Sequence, residues 1–141
     1  MTPDALTKLV ELSQAVQEAD AAKLQAIRAE ETRIRAQLAA LDARHKEARA
    51  LPMADALPLH RLGGDMLWQV WVGRRRRDLQ MQLARCLARQ GAARRALQKS
   101  FGKRTALNTV QEKVQRKRDR AEKIKAIDAV TGMSVLQHPK S

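Results

Sequence analysis

The chain has 141 residues, of which 2% are aromatic and 30% are charged, and its formal net charge is +13. This composition is typical of long helices and coiled coils, and it argues against a compact core filled by large aromatic side chains. The single cysteine, Cys86, excludes an internal disulfide, and no apolar run approaches the roughly 18 residues that cross a bilayer. We therefore expect a cytoplasmic protein that does not insert into a membrane.

The first predicted element is a long helix. Thr2 can cap its start, Pro3 suits the first helical position, and Asp4 suits the positive end of the helix dipole. No further Pro or Gly occurs before Pro52, so we expect helix 1 to run from about residue 4 to residue 50. Its apolar seam is predicted at Leu6, Leu9/Val10, Val16, Leu24, Ile27, Ile34, Leu38, Leu41 and Ala48. Polar residues that weaken such a seam but fix its register are Ser13, Asp20, Glu31 and His45.

Residues 51–64 break the helical pattern. They contain Pro52, Pro58, Gly63 and Gly64, a set through which a helix does not pass cleanly. Because the stretch is also apolar, we predict a structured corner rather than a flexible linker.

A second helix is predicted from about residue 65, where Asp65 can cap it, to about residue 130. Gly73, Gly91 and Gly102 cost about 1 kcal/mol each relative to Ala, which does not end a helix of this length. Residues 131–141 are expected to form a flexible tail, with Gly132 as the terminator. The helix 2 seam is predicted at Trp68, Val72, Leu79, Leu83, Cys86, Ala93, Leu97, Phe101, Leu107, Val110, Val114, Ala121 and Ile124.

Neither helix can bury its apolar stripe alone, so the two must pair. We predict an all-α fold: a long antiparallel two-helix coiled-coil hairpin with a longer second helix, forming one elongated domain over residues 1–130. Pairing about the corner makes partner residue numbers add to about 116, so that Ile34 faces Leu83 and Val10 faces Leu107. The alternative is an intermolecular coiled-coil dimer with the corner opened out.

The whole net positive charge arises from the second half of the chain. Residues 1–64 hold nine basic and nine acidic residues, whereas residues 65–141 hold nineteen basic and six acidic residues. In the predicted hairpin, helix 1 starts opposite about residue 113, so the stretch KVQRKRDRAEKIK, residues 113–125, extends past it without a partner helix. This most basic helical segment indicates an anionic partner.

No group of residues forms an active-site pattern. The three histidines are scattered, and His45 falls on the helix 1 seam, where a packing role is far more common than a catalytic one. Cys86 is best interpreted as a small buried apolar residue. We therefore predict a non-enzyme with no catalytic residues, no cofactor and no metal site.

The only tryptophans, Trp68 and Trp71, lie three residues apart and directly precede four arginines at positions 74–77. Exposed Trp beside Arg is the composition of an interface hot spot, but the same indoles can instead cap the hairpin core against leucines of the corner. The two interpretations are compatible if one indole is buried and the other is available. Because four successive arginines point in every direction around a helix, we expect the helices to pair loosely there.

Helix 2 also carries a resemblance to a known family. The stretch ALQKSFGKRTALNTVQEKVQRKRD, residues 96–119, is similar to the FliJ/YscO family pattern of Ala-Leu, an aromatic residue four positions after the Leu, and then a Lys/Arg-rich run. Phe101 stands where flagellar members tend to have Trp, and Trp68 and Trp71 match an aromatic segment that opens the second helix of the family. The four arginines at 74–77 depart from the more mixed composition of related chains.

The resemblance implies a small stalk protein of a flagellar or virulence type III export machine, with a fold similar to the coiled coil of the rotary ATPase γ subunit. It implies a non-enzymatic adaptor in the cytoplasm, peripherally associated with the inner-membrane export apparatus. Such a protein would couple a hexameric export ATPase to the export gate ring, and flagellar members also bind export chaperones.

Two sets of candidate contact residues follow. The gate or partner contact is assigned within residues 66–83 to Met66, Trp68, Trp71, Val72, Arg75, Arg76, Leu79 and Leu83. The contact with the ATPase pore is assigned to Lys113, Arg116, Lys117, Arg118, Arg120, Lys123 and Lys125.

The alternative function is a basic coiled coil that binds nucleic acid or acts as another kind of scaffold. Long basic helices bind phosphates. However, no known nucleic-acid-binding motif occurs, and proteins that bind single strands usually present aromatic stacking platforms on a basic groove. We therefore expect that nucleic acid is not the partner.

Overall fold

A computed structural model describes residues 2–50 and 58–137 of the chain, with the side chains of residues 2–50 and 63–135. It contains two α-helices, α1 at Pro3–Ala50 and α2 at Pro58–Gln137. They pack antiparallel within one chain, and α2 has 80 residues against 48 in α1. The predicted all-α hairpin with a longer second helix is confirmed.

The start of α1 is capped as its sequence predicts. The backbone N–H of Ala5 donates to the Thr2 hydroxyl oxygen at 3.3 Å, and the N–H of Leu6 donates to the Thr2 carbonyl oxygen at 3.1 Å. The first bond satisfies an N–H group that has no backbone partner in the first turn, and the second is the first regular hydrogen bond of the helix. The helix then continues to Ala50, in agreement with the predicted span of residues 4–50.

The second helix is longer at both ends than predicted. It begins at Pro58 instead of residue 65, and Gly63, Gly64 and Asp65 therefore lie inside it. Pro is favoured at the first helical position, where its missing N–H has no helical partner in any case. At the other end α2 includes residues 131–137 of the expected tail, and it passes through Gly132, which has no positive φ. Residues 51–57 of the expected corner and residues 138–141 of the expected tail lie outside the described residues.

The structure divides into two compact units, which we call the inner unit (residues 19–97) and the terminal unit (residues 1–18 and 98–141). The core of the inner unit is a single cluster along the line where α1 and α2 meet. Its buried members are Ile34, Leu41, Val72, Leu79 and Cys86, and Ile27, Leu38, Trp68 and Leu83 pack against them. Full burial of each such aliphatic side chain contributes roughly 1.5–3 kcal/mol.

Polar contacts across the inner unit fix its register. Arg76 forms an ion pair with Asp42, Arg89 forms one with Glu30 at 2.7 Å, and the Cys86 thiol donates to the Ile27 carbonyl oxygen at 3.4 Å. The residue numbers of these partners add to between 113 and 119, which brackets the predicted value of about 116.

The inward positions of α2 follow a seven-residue repeat. Val72, Leu79 and Cys86 are buried, and Ala93, seven residues further, is half-buried. A repeat of 3.5 residues per turn keeps the same face of a helix against its partner. Each heptad has a second inward position, four residues after the first, and this position is occupied by the polar residues Arg76 and Gln90. The seam therefore contains both apolar and polar side chains.

In the terminal unit the same spacing reaches Leu107 and Val114, which were predicted in the seam, but also the polar residues Ser100 and Arg104, which were not. Leu6 and Ser100 are buried, and the Arg104 guanidinium donates to the Gln17 side-chain oxygen at 2.8 Å. Phe101, predicted in the seam, is instead 58% exposed. It follows Ser100 by one residue and is therefore turned away from the partner helix by about 100°.

Other residues predicted in the seam are also exposed. Val16 and Val110 each precede an inward residue by one position, and these two assignments were wrong because they followed apolar character, whereas packing follows the heptad frame. Ala121 and Ile124 lie beyond the last half-buried residue, Val114. Ala48 lies in the heptad frame, seven residues after the buried Leu41, and nothing in the described structure explains its exposure.

Candidate functional site

The two tryptophans occupy different environments in the first described turns of α2. Their rings stack with centroids 5.2 Å apart and an interplanar angle of 22°. Trp68 packs against the inner-unit core, whereas Trp71 is 47% exposed. The structure therefore places one indole on the core and leaves the other exposed. The corner leucines of the capping interpretation lie outside the residues whose side chains are described, and a partner contact at Trp71 stays a prediction.

We use the name tryptophan segment for residues 63–83 of α2. Of its predicted contact residues, Val72 and Leu79 are each only 2% exposed, and Leu83 packs against the same core. A direct contact between these three side chains and a partner would require the helices to separate. Of the residues predicted to contact the gate, Met66, Trp71 and Arg75 are exposed on the surface of the segment.

The four arginines at 74–77 are not equivalent. Arg76 lies half-buried at an inward position, and its guanidinium reaches Asp42 of α1. A long side chain can place its stem along the seam while its charged end stays at the edge. Arg74, Arg75 and Arg77 are exposed, and among the described residues none of them forms an ion pair.

The side of the tryptophan segment that faces away from the seam carries an apolar patch, which we call the outward patch. It consists of Met66, Leu67 and Val70 and, at its edge next to α1, the half-exposed Trp71, which also lines a hollow with Leu41 of α1 and Leu79. Leu67 is the most exposed at 74%. The sequence analysis assigned Leu67 and Val70 no role. The signal that locates them is the heptad frame: once Val72 and Leu79 are inward, Leu67 and Val70 are outward.

The second candidate surface is the overhang, which we define as residues 115–135 of α2. Val114 is the last half-buried residue, and every residue from 115 to 135 is exposed. The exposed set includes six of the seven residues predicted to contact the ATPase pore, and the seventh, Lys113, is also exposed just before Val114. The polar contacts given for this stretch are local: Arg116 with Glu112 at 3.9 Å and Gln115 with Asp119 at 3.2 Å.

Ionisable groups in the paired part of the helices form bridges rather than a reactive cluster. The hydrogen bond to Glu30, and then the charge of that carboxylate, raise the pKa of Arg89, so this guanidinium stays protonated. The Glu31 carboxylate accepts bonds from Arg35 of its own helix and from the buried Gln90 of α2. His45 Nδ1 and Trp68 Nε1 are buried and have no hydrogen-bond partner among the described residues.

The described residues form neither a metal site nor a membrane-spanning helix. Within the described part of the chain, no three His, Cys, Asp or Glu side chains are grouped as a metal site requires. Neither α1 nor α2, over the residues described, combines the length and apolar character that a bilayer-spanning helix needs.

Comparisons of the chain with protein-family models, with curated proteins and with solved structures gave no match in any of the three.

Proposed function

We propose that this protein is a non-enzymatic central stalk and adaptor of a type III export machine, of the kind that the FliJ/YscO family provides. In this function the overhang enters the pore of a hexameric export ATPase, and the tryptophan segment contacts the export gate ring. Flagellar members of that family also bind export chaperones, and the same role is open to this chain. The protein works in the cytoplasm beside the inner-membrane export apparatus.

The observation that carries the proposal is the exposure of the overhang. A stalk must present its surface to several surrounding subunits at once, and the basic residues of this stretch project from more than one side of a fully exposed helix. Residues 113–125 hold seven basic and two acidic residues. A pore lined by acidic groups is the complementary environment.

The attraction between such a helix and its pore has to be collective. Each solvent-exposed ion pair contributes only about 0–1 kcal/mol, and salt screens it over roughly 8–10 Å. Several weak contacts around one shaft can add to a useful affinity without fixing one rotational position. Salt sensitivity is therefore expected of the interaction.

Charge reversal in the overhang tests the proposal. We expect the variant with Arg116, Lys117, Arg118 and Arg120 all changed to Glu to lose stimulation of ATP hydrolysis by the cognate hexamer. The matched control changes Arg94, Arg95, Lys99 and Lys103 to Glu, because these four are also exposed on α2 but precede the overhang. Normal stimulation by the overhang variant, with both variants equally helical, would overturn the stalk function.

The gate contact is tested at Trp71. Because this indole is exposed while Trp68 packs on the core, Trp71→Ala should weaken capture of the gate ring protein without lowering helicity. The contact assigned to Val72, Leu79 and Leu83 stays a prediction that requires the hairpin to open at this end. A collapse of helicity in Trp71→Ala would mean that the residue is structural.

Binding to nucleic acid is the competing function. A gel-shift titration of the full chain with DNA and RNA at two salt concentrations separates the two, because release of counterions makes nucleic-acid binding fall steeply with salt. We expect no useful affinity at physiological salt. Tight binding to either nucleic acid, combined with no effect on the ATPase, would favour the alternative.

A further inference from the structure

The outward patch extends beyond the gate contact of the stalk function, which uses Met66 and Trp71 but leaves Leu67 and Val70 without a role. Three aliphatic side chains and one indole, at Met66, Leu67, Val70 and Trp71, are between 47% and 74% exposed on adjoining turns. A soluble coiled coil gains nothing from leaving such a group in water, and contiguous exposed apolar surface marks a binding site. Two shallow hollows on this face, of about 370 and 700 Å³, are both lined by Val70 and Arg74.

On α2 the charge beside the patch is supplied by arginine alone. From residue 63 to residue 98 the chain contains eight arginines, no lysine and two acidic residues. The overhang region, by contrast, mixes four lysines with three arginines over residues 113–125. The planar guanidinium fork matches phosphate oxygens in pairs, which an ammonium group cannot do.

The facing end of α1 has the same sign of charge. Arg44, Lys46 and Arg49 are exposed in its last two turns, where Glu47 is the one acidic residue after position 43. Together with Arg74, Arg75 and Arg77 they form an electropositive end of the inner unit. The complementary surface is therefore anionic as well as apolar.

We propose that the outward patch and the arginines behind it bind the surface of a bilayer that contains anionic phospholipid. This is a peripheral contact and not a span, and it does not depend on the stalk function. Trp is favoured at the boundary between headgroups and acyl chains, where its ring is apolar and its N–H is polar.

The spacing along α2 fits this surface. The centre of residues 66–71 lies seven residues before the centre of residues 74–77, which is about 10 Å along a helix. Helices that bind at a bilayer interface sink their apolar face roughly 5–10 Å. With α2 lying along the bilayer, this separation of about 10 Å runs parallel to the surface. The long side chains of Arg74 and Arg77 then carry their guanidinium groups back to the level of the lipid phosphates.

Two other partners fit less well. RNA would use the indoles as stacking platforms, but Trp68 and Trp71 already stack on each other, and Met66, Leu67 and Val70 would have no function. An acidic protein groove would accommodate the aliphatic side chains and would pair with arginine equally well. However, the cations beside the patch lie on both helices, at Arg44 and Arg49 of α1 as well as at Arg74 and Arg77 of α2, and a laterally extended anionic surface reaches all of them.

The chain provides its own probe, because Trp68 and Trp71 are its only tryptophans and it has no Tyr. In the full-length Trp68→Phe variant, Trp71 is the single indole. With vesicles of phosphatidylcholine mixed with phosphatidylglycerol we expect its emission to shift to the blue and to be quenched by brominated acyl chains. With phosphatidylcholine alone we expect neither change. Co-sedimentation of the unsubstituted protein with both kinds of vesicle measures the same binding without any substitution.

Matched variants assign the binding to the patch. Arg74→Gln with Arg77→Gln should lower the partition coefficient by about 30-fold, and Leu67→Ser with Val70→Ser should lower it roughly tenfold or more. The apolar control is Met81→Ser with Leu87→Ser, two exposed residues of α2 outside the patch. The basic control is Lys117→Gln with Arg118→Gln in the overhang. All four variants should keep the helicity and melting temperature of the unsubstituted protein.

Three results would overturn the proposal. One is an unchanged Trp71 emission together with no co-sedimentation on the anionic vesicles. Another is an overhang control that loses as much binding as the arginine variant, since that marks unspecific adsorption of a basic protein. The third is a patch variant that still binds vesicles normally but no longer binds an RNA oligomer or the gate protein.

Discussion

The tryptophan segment and the overhang are both basic parts of α2, but one is packed on its inner side against α1 and the other is exposed on every side. The tryptophan segment rests with one side on the core of the inner unit, so Val72 and Leu79 point inward and the outward patch has a defined direction. Every described side chain of the overhang is exposed, so this stretch has no inward side. A packed helix can present a patch to a flat surface, whereas an unpacked one can be contacted from all sides. The same helix thus provides two kinds of binding surface.

The largest expected effect is the loss of stability when a packed apolar residue is truncated, compared with an exposed apolar residue of the overhang. Leu79→Ala should lower the free energy of unfolding by about 2–5 kcal/mol, because it removes a side chain that is 2% exposed and leaves a cavity between the helices. Ile124→Ala in the overhang should change it by less than about 0.5 kcal/mol. Urea unfolding followed by far-ultraviolet circular dichroism measures both values.

A comparable loss in the two variants would contradict this difference. It would mean that the overhang is packed in solution, for instance against a second copy of the chain. A mass measurement on the same samples identifies that case, since a paired overhang predicts twice the mass of 15.8 kDa.

The next effect separates the two indoles within the tryptophan segment. Trp68→Ala should cost about 2 kcal/mol, less than the roughly 3–5 kcal/mol of a fully buried Trp because Trp68 is only half-buried. Trp71→Ala should cost less than about 1 kcal/mol. Trp68→Phe is the control: it keeps most of the ring and removes an N–H that has no hydrogen-bond partner among the described residues, so its stability should stay close to that of the parent. A larger loss from Trp71→Ala than from Trp68→Ala would reverse the two assigned environments.

The fold was predictable to the extent that helix signals are local. Thr2, Pro3 and the absence of breakers before Pro52 located α1, and the low aromatic content pointed to helices that pair. The start of α2 was not predictable from the same rules. Pro58 is a good first residue, but two adjacent glycines at 63 and 64 outweighed it in the sequence analysis, although each costs only about 1 kcal/mol in a helix of 80 residues.

The candidate surfaces were predictable in part for a related reason. The charge excess and the length difference between the helices indicated the overhang, because both can be counted in the sequence. The direction of each side chain depends on the heptad frame, and polar inward residues such as Gln90 and Ser100 conceal that frame. Phe101 was therefore placed in the seam, and the outward positions of Leu67 and Val70 were missed.

A smaller effect is expected from the internal glycines. Gly102→Ala should raise the free energy of unfolding by up to about 1 kcal/mol, because Ala is the better helix former and the added Cβ meets no atom within 4 Å. Gly132→Ala has the same open surroundings, but it lies in the overhang. We expect it to increase helicity at high temperature without moving the midpoint of cooperative unfolding. A shift of that midpoint by Gly132→Ala would show that the overhang unfolds together with the paired helices.

The smallest effect concerns the ion pair that accommodates Arg76 in the seam. Asp42→Asn should lower the free energy of unfolding by at most about 1 kcal/mol at low salt, since both side chains are partly exposed, at 39% for Arg76 and 54% for Asp42. The difference should shrink in concentrated salt, which screens exposed charges. Asp128→Asn in the overhang is the control and should leave stability unchanged at either salt concentration. A loss of several kcal/mol that persists in high salt would mean that the Arg76 guanidinium is held as a buried charge and that Asp42 is the partner it requires. In that case this ion pair, as well as the apolar core, would hold the tryptophan segment against α1. The helices would then resist separation at this end, and a gate contact through Val72 and Leu79 requires them to separate there.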